Sequence, residues 1–133
     1  MSEVVQLDTE RLKDKKPVSF RVQPQSFPQQ EFDFFLRWNG QRGNYVMEVR
    51  HRNRDDRLIT KSFVNIYRVY EYLPWMVIYF VDPSFEITEI TPDNLGEEVN
   101  MHIAPGPNGR PVSEWRNPPD WYEDGMVVPG EEQ

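Results

Sequence analysis

The stretch from Trp75 to Val81 (WMVIYFV) constrains this chain more than any other, because all seven residues are apolar or aromatic. Side chains alternate along an extended chain, so Trp75, Val77, Tyr79 and Val81 share one face and Met76, Ile78 and Phe80 the other. A strand that is apolar on both faces must be covered on both, which places it in the middle of a sandwiched or closed sheet. The run is too short to cross a membrane, which takes about 20 apolar residues. Its β-branched and aromatic content favours a strand over a buried helix.

The preceding residues supply the sheet that wraps it. Val18, Phe20 and Val22 alternate with Ser19 and Arg21, the pattern of a half-buried strand. QPQSFPQQ then reads as a loop. EFDFFLRW puts Phe32, Phe34, Leu36 and Trp38 on one face and Asp33 and Arg37 on the other. Phe35 interrupts the polar face, which implies that this face too is covered. Asn39 to Asn44 (NGQRGN) carry the glycines of a hairpin. In YVMEVRH, Tyr45, Met47 and Val49 turn inward, RNRDD makes a second turn, and RLITKSF is a further strand. Residues 64–74 read as a helical turn or an irregular crossover ended by Pro74. Beyond Asp82 follow a weak strand, EITEI, a TPDNLG turn that Asp93 and Asn94 can close through their side chains, and the strand EVNMHI. In that strand Val99, Met101 and Ile103 face inward.

These signals give an all-β class: a small OB-like antiparallel barrel over residues 18–103, flanked by arms. An 86-residue body is large enough for one core and no more. Residues 1–17 are polar and charged, and read as an arm loosely ordered alone, with Val4, Val5, Leu7 and Leu12 able to dock on a neighbour. They contain no apolar core of signal-peptide length and are not expected to be a secretory signal. Residues 104–133 hold six of the twelve prolines, six acids and only two arginines, and show no hydrophobic period. That composition predicts an extended acidic arm. Its three large aromatics, Trp115, Trp121 and Tyr122, either fold back on the barrel or bind a partner. Burying one large apolar side chain is worth about 1.5–3 kcal/mol, and partner binding is the favoured expectation.

No arrangement typical of catalysis is visible. The chain has no nucleophile elbow, no phosphate-cradling glycine loop and no HExxH zinc motif. His51 and His102 lie on separate strands, and with no cysteine there is neither a disulfide nor a thiolate site. The expectation is a non-enzyme without cofactor or metal. Cysteine-free composition suits a reducing compartment. Arg50, Arg52, Arg54 and Arg57 form a candidate basic patch, with Tyr67, Tyr70 and Tyr72 as stacking partners for a single-stranded nucleic acid. Asp55 and Asp56 sit inside it, so a solvated hairpin tip that guards the sheet edge explains the same residues. A net charge of −7, from 22 acids against 15 bases, makes a nucleic-acid partner the weaker reading.

FDFFLRWN, NYVMEVRH, YRVYEYLPWMVIYFVD and DNLGEEVNMHI together resemble a baseplate plug family of contractile-tailed phages, which has an OB-type barrel. The likeness spans about residues 18–103. The turn Asp93, Asn94, Leu95 and Gly96 before an alternating strand is its most distinctive piece. The family motif is structural and brings no catalytic residues. The resemblance implies a virion protein of the tail baseplate, assembled in the host cytoplasm. Its partners would be hub, spike or tube subunits in a symmetric multi-subunit assembly, with no membrane partner. The charged N-terminal arm and the proline-rich tail depart from the family pattern.

Overall fold

A computed structural model describes residues 3–106, 109–111, 114–123, 125 and 126. Two antiparallel four-stranded sheets make up almost all of its regular secondary structure, the all-β class that the alternation predicts. In the first sheet, β2 (Val18–Val22), β3 (Phe32–Asn39), β4 (Asn44–His51) and β5 (Arg57–Val64) follow one another in chain order. The NGQRGN hairpin joins β3 to β4. Its Asn39 Oδ1 accepts from the backbone N–H of Gln41 at 3.1 Å and of Arg42 at 3.3 Å, and Gly43 takes a φ of 71°. RNRDD joins β4 to β5 through one 3-10 turn, with Asp55 and Asp56 both left-handed. Aspartate tolerates that conformation better than most residues.

The second sheet has the order β1 (Glu3–Val4), β8 (Asn100–Ala104), β7 (Met76–Val81), β6 (Val69–Tyr72). Every residue of β7 is buried. Met76, Ile78 and Phe80 meet Phe32, Phe34, Leu36, Met47 and Val49 of the first sheet in one core. Val77, Tyr79 and Val81 face the opposite way, into a second cluster that includes Trp121 and Met126. The molecule is therefore layered: first sheet, second sheet, then the tail.

Several segments differ from the sequence reading. The N-terminal arm is part of the body. β1 pairs Glu3 with Ile103 and Val4 with His102, and α1 (Thr9–Lys13) is capped by Asp8, whose Oδ1 accepts from Arg11 N–H at 3.2 Å. Leu12 of α1 is fully buried in the core between the sheets. Residues 69–72 form a strand and not a helical turn, because Tyr70 and Tyr72 go to one core and Val69 to the other. Period two wins over the three-to-four spacing.

EITEI forms no strand. The Asp82 carboxylate takes the backbone N–H groups of Ser84, Glu86 and Ile87 at 3.1, 2.9 and 2.9 Å, which removes the donors a ladder would use. Those same bonds, led by that from Ile87, hold the Asp82 carboxyl below its ordinary value. Phe35 is 38% exposed, so the described residues do not cover the outer face of the first sheet around it as the sequence implied.

Ile78 is fully buried in the main core. Replacing it with Asp puts an unpaired carboxylate there, a cost of several kcal/mol against a total stability of about 5–15. Ile78→Asp is expected to abolish the cooperative thermal transition in far-ultraviolet circular dichroism. A melting temperature equal to that of the wild type contradicts the double burial of β7.

Candidate partner-binding surfaces

The tail aromatics are anchored on their own chain. Trp121 is 7% exposed and stacks on Tyr79 with ring centroids 5.1 Å apart. Tyr79 stacks in turn on His102 at 4.9 Å. Trp115 sets its edge against Trp121 at 5.3 Å, and its Nε1–H donates to the Arg110 carbonyl at 3.2 Å. The Tyr122 hydroxyl donates to the Met126 carbonyl at 3.3 Å. Of the two outcomes the sequence allowed, the structure has the folded-back one. Trp121 packs on its own sheet, and the described part of the arm is not extended away from the sheets. Trp115 and Tyr122 stay half-exposed. Residues 127–133 of that arm lie outside the described residues.

The basic cluster is brought together only in part. Arg50 donates to Glu48 at 3.0 Å, and Arg52 lies 3.5 Å from Asp33. Both are thereby turned to carboxylates of their own sheet. Arg54 and Arg57 instead line an open hollow of about 290 Å³ with His51, Leu58, Ile59 and Trp75. The guanidinium of Arg54 sits 5.4 Å over the Trp75 ring, and His51 meets that ring edge-on at 4.8 Å. His51 Nε2 lies 2.6 Å from Gln30 Oε1.

None of the three candidate stacking tyrosines lines this hollow. Tyr67 stacks on Phe85, the Tyr70 hydroxyl donates to the Phe63 carbonyl at 2.9 Å, and Tyr72 is buried. The aromatic wall is Trp75, which the sequence reading spent on the central strand. The signal for it was local: Trp75 directly follows Pro74, one place before β7 begins.

The DNLG turn is a structural joint. Thr91 N–H donates to Asn94 Oδ1 at 2.8 Å, and Asn94 Nδ2 donates to the Glu89 carbonyl at 3.0 Å. Asn94, and not Asp93, closes the turn. Leu95 is buried, and Gly96 has a φ of 85°. A Cβ at Gly96 would stand 2.8 Å from the Thr9 methyl of α1, so only glycine lets helix and turn meet this closely.

The surface that sequence reasoning missed is the outer face of the first sheet. The strand register sets Ser19, Phe35, Glu48 and Lys61 in one row across it, and Arg37, Val46 and Phe63 in the next. Phe35 and Phe63 are 38% and 39% exposed, and Arg42 from the hairpin lies 4.5 Å over the Phe63 ring. Hollows of about 300 and 220 Å³ flank Phe35. Arg21, Arg50 and Arg52 have carboxylate partners in Asp33, Glu31 and Glu48. Among the described residues no ion pair reaches Arg37, Arg42 or Lys61. Two signals marked this face in the sequence: Phe35 on a polar face, and charge segregation. Residues 18–64 hold eight bases and five acids, whereas the rest of the chain holds seven bases and 17 acids.

Among the described residues no three His, Cys, Asp or Glu side chains gather as a metal site would require. Compared with known proteins, the chain matches no family model, no curated protein and no solved structure.

Two outcomes follow from the tail layer and its histidine. Trp121→Ala removes the cover of Tyr79. Truncating a fully buried Trp costs about 3–5 kcal/mol, and because this layer lies outside the two-sheet core the loss should fall near the lower end. Trypsin is then expected to cut after Arg116, whose next residue is Asn117, well before the sheets unfold, with the cutting rate read by mass spectrometry.

Burial lowers the pKa of both His102 and His51, and Arg54 lowers His51 further. The unfolded chain therefore binds more protons than the folded one once pH drops below the ordinary value of 6.5. Stability is full above that pH and declines as pH falls through the histidine range. The melting temperature should drop over this interval, and His102→Phe, which keeps a ring in the stack, should flatten the drop.

Proposed function

We propose that this chain is a structural, non-catalytic component of a bacteriophage tail baseplate. In this reading it works in the plug or hub region and joins tube, hub or spike subunits through protein–protein contacts. The observation that carries a protein-binding role is the bare outer face of the β2–β5 sheet. The inner face of that sheet packs in the main core, and the second sheet is covered by the first sheet on one side and by the tail on the other. The outer face presents Phe35 and Phe63 among cations without an acidic partner in the described chain. Aromatic residues and arginine are enriched in protein interfaces and dominate their energy. The virion setting and the OB-like barrel come from the resemblance of the FDFFLRWN, WMVIYFVD and DNLG segments.

A second reading, an OB-type protein for single-stranded nucleic acid, draws on the Arg54, Arg57 and Trp75 hollow, since stacking on an aromatic beside cations is how such strands are held. It ranks lower for two reasons. Arg54 already occupies a face of Trp75, and the chain as a whole is strongly acidic.

Cross-linking followed by mass spectrometry of the assembly that contains this chain decides the first reading. Cross-links from Lys61 to tail, hub or spike subunits are expected, and a chain that co-purifies with no protein neighbour overturns it. Titration with fluorescent single-stranded DNA addresses the second. Tight binding that weakens steeply with salt and is lost in Arg54→Glu with Arg57→Glu would put the nucleic-acid reading first.

A further inference from the structure

Charge complementarity on the molecule's own surface identifies one neighbour for the bare sheet face. We propose that the outer face of β2–β5 in one copy receives the 82–98 segment of a second copy, giving head-to-tail association. This rests on the reading of that face as a protein interface.

The segment from Asp82 to Glu98 contains six acids and no Lys or Arg. Asp82 is buried and holds its own loop. Glu86, Glu89, Asp93, Glu97 and Glu98 are exposed. Only Glu97 is in a salt bridge among the described residues, with Lys13 of α1 at 2.9 Å. The receiving face has the opposite balance, with Arg37, Arg42 and Lys61 outside every ion pair of the described residues, around the exposed rings of Phe35 and Phe63. Thr88, Glu89 and Ile90 line a hollow with Gly43, Asn44, Val64, Asn65 and Ile66, at the hairpin end of the body. Glu89 thus lies beside the sheet and not across it.

A contact between two different patches of one chain is heterologous, so it builds rings or filaments and not a closed two-fold pair. Net charge does not forbid it. At physiological salt, charges are screened beyond about 8 Å, so the local pairing of opposite patches outweighs the repulsion between two acidic chains.

A nucleic acid on this face is the competing occupant. Arg21, Arg50 and Arg52 are already paired with Asp33, Glu31 and Glu48, which leaves few cations for a run of phosphates, whereas the exposed Phe35 and Phe63 rings suit a protein surface. The experiment is sedimentation velocity of the purified full chain over a concentration series at low and high salt. Wild type is expected to associate at low salt and to fall to monomer at high salt. Arg37→Glu with Lys61→Glu, and separately Glu86→Lys with Glu89→Lys, should each be monomeric under all conditions. All four positions are solvent-exposed, so melting curves should overlay that of wild type, and the single variants Lys61→Glu and Glu89→Lys repeat the test.

An equimolar mixture of the two double variants should associate again, because each supplies the patch that the other has inverted. A monomeric wild type, double variants that associate like wild type, or a mixture that stays monomeric overturns the proposal. So does a wild type whose only partner on this face is single-stranded DNA, lost in Lys61→Glu. Failure here removes the second copy as neighbour and nothing more. The assembly reading fails separately, if the chain co-purifies with no protein at all.

Discussion

The double burial of β7 is the constraint that organises the molecule. A strand with Met76, Ile78 and Phe80 on one side and Val77, Tyr79 and Val81 on the other exposes a large apolar area whichever side is left open. Burial of one such side chain contributes about 1.5–3 kcal/mol, and three of them on a bare face would approach the whole net stability of a small domain. Both sides therefore need a layer. The β2–β5 sheet covers the first. The second is covered by residues that lack any regular pattern: Trp121, Met126 and, at their rim, Trp115 and Tyr122. Prolines deny this tail a strand ladder, so its anchoring relies on ring stacking onto Tyr79, which is held in turn by His102.

Legibility in the sequence followed the source of each element's stability. Strands β2, β3, β4, β5 and β7 carry their own period-two signal, and their observed bounds agree with the alternation to within a residue. Segments stabilised by distant contacts were not readable. Residues 9–13 are too short to be helical alone and are held by Leu12 in a core built from strands later in the chain. Residues 86–90 have the composition of a strand, yet one carboxylate, Asp82, captures the amides of the first two, Glu86 and Ile87. β6 was obscured because Val64, Tyr67 and Tyr70 happen to fall at helical spacing.

The tail posed a question of a different kind. The sequence stated both halves of the answer, a strand in need of two covers and an arm of aromatics without a core. Joining them required knowing which face the first sheet leaves open. The candidate site divides along the same line. The arginine cluster was visible as a run, but the run does not tell which members are tied to Asp33 and Glu48 and which stay free beside Trp75. Position in the register decides that.

The same logic of layers applies to the outer face of the first sheet, with a different result. An antiparallel sheet can face water on one side when that side is polar, and Arg21, Asp33, Glu48 and Arg50 make it so across much of this one. Their ion pairs are exposed and worth little individually, which marks them as solubility and register devices more than as glue. Phe35, Phe63, Arg37 and Lys61 do not fit that account. An exposed phenylalanine in a strand gains nothing from water, Arg37 stands opposite Val46, and Lys61, though opposite Glu48, makes no ion pair with it because Glu48 holds Arg50. Arg42, laid over Phe63, shelters one ring only in part. Phe35, Arg37 and Lys61, and the uncovered part of Phe63, therefore have no stabilising contact of this kind in the described chain, and the proposed protein contact would give them one. Of the surfaces available, an acidic one satisfies the cations and the rings together. The acids on the face are already paired with Arg21, Arg50 and Arg52, so in the proposed association only the unpaired cations and the two rings are left for the second copy.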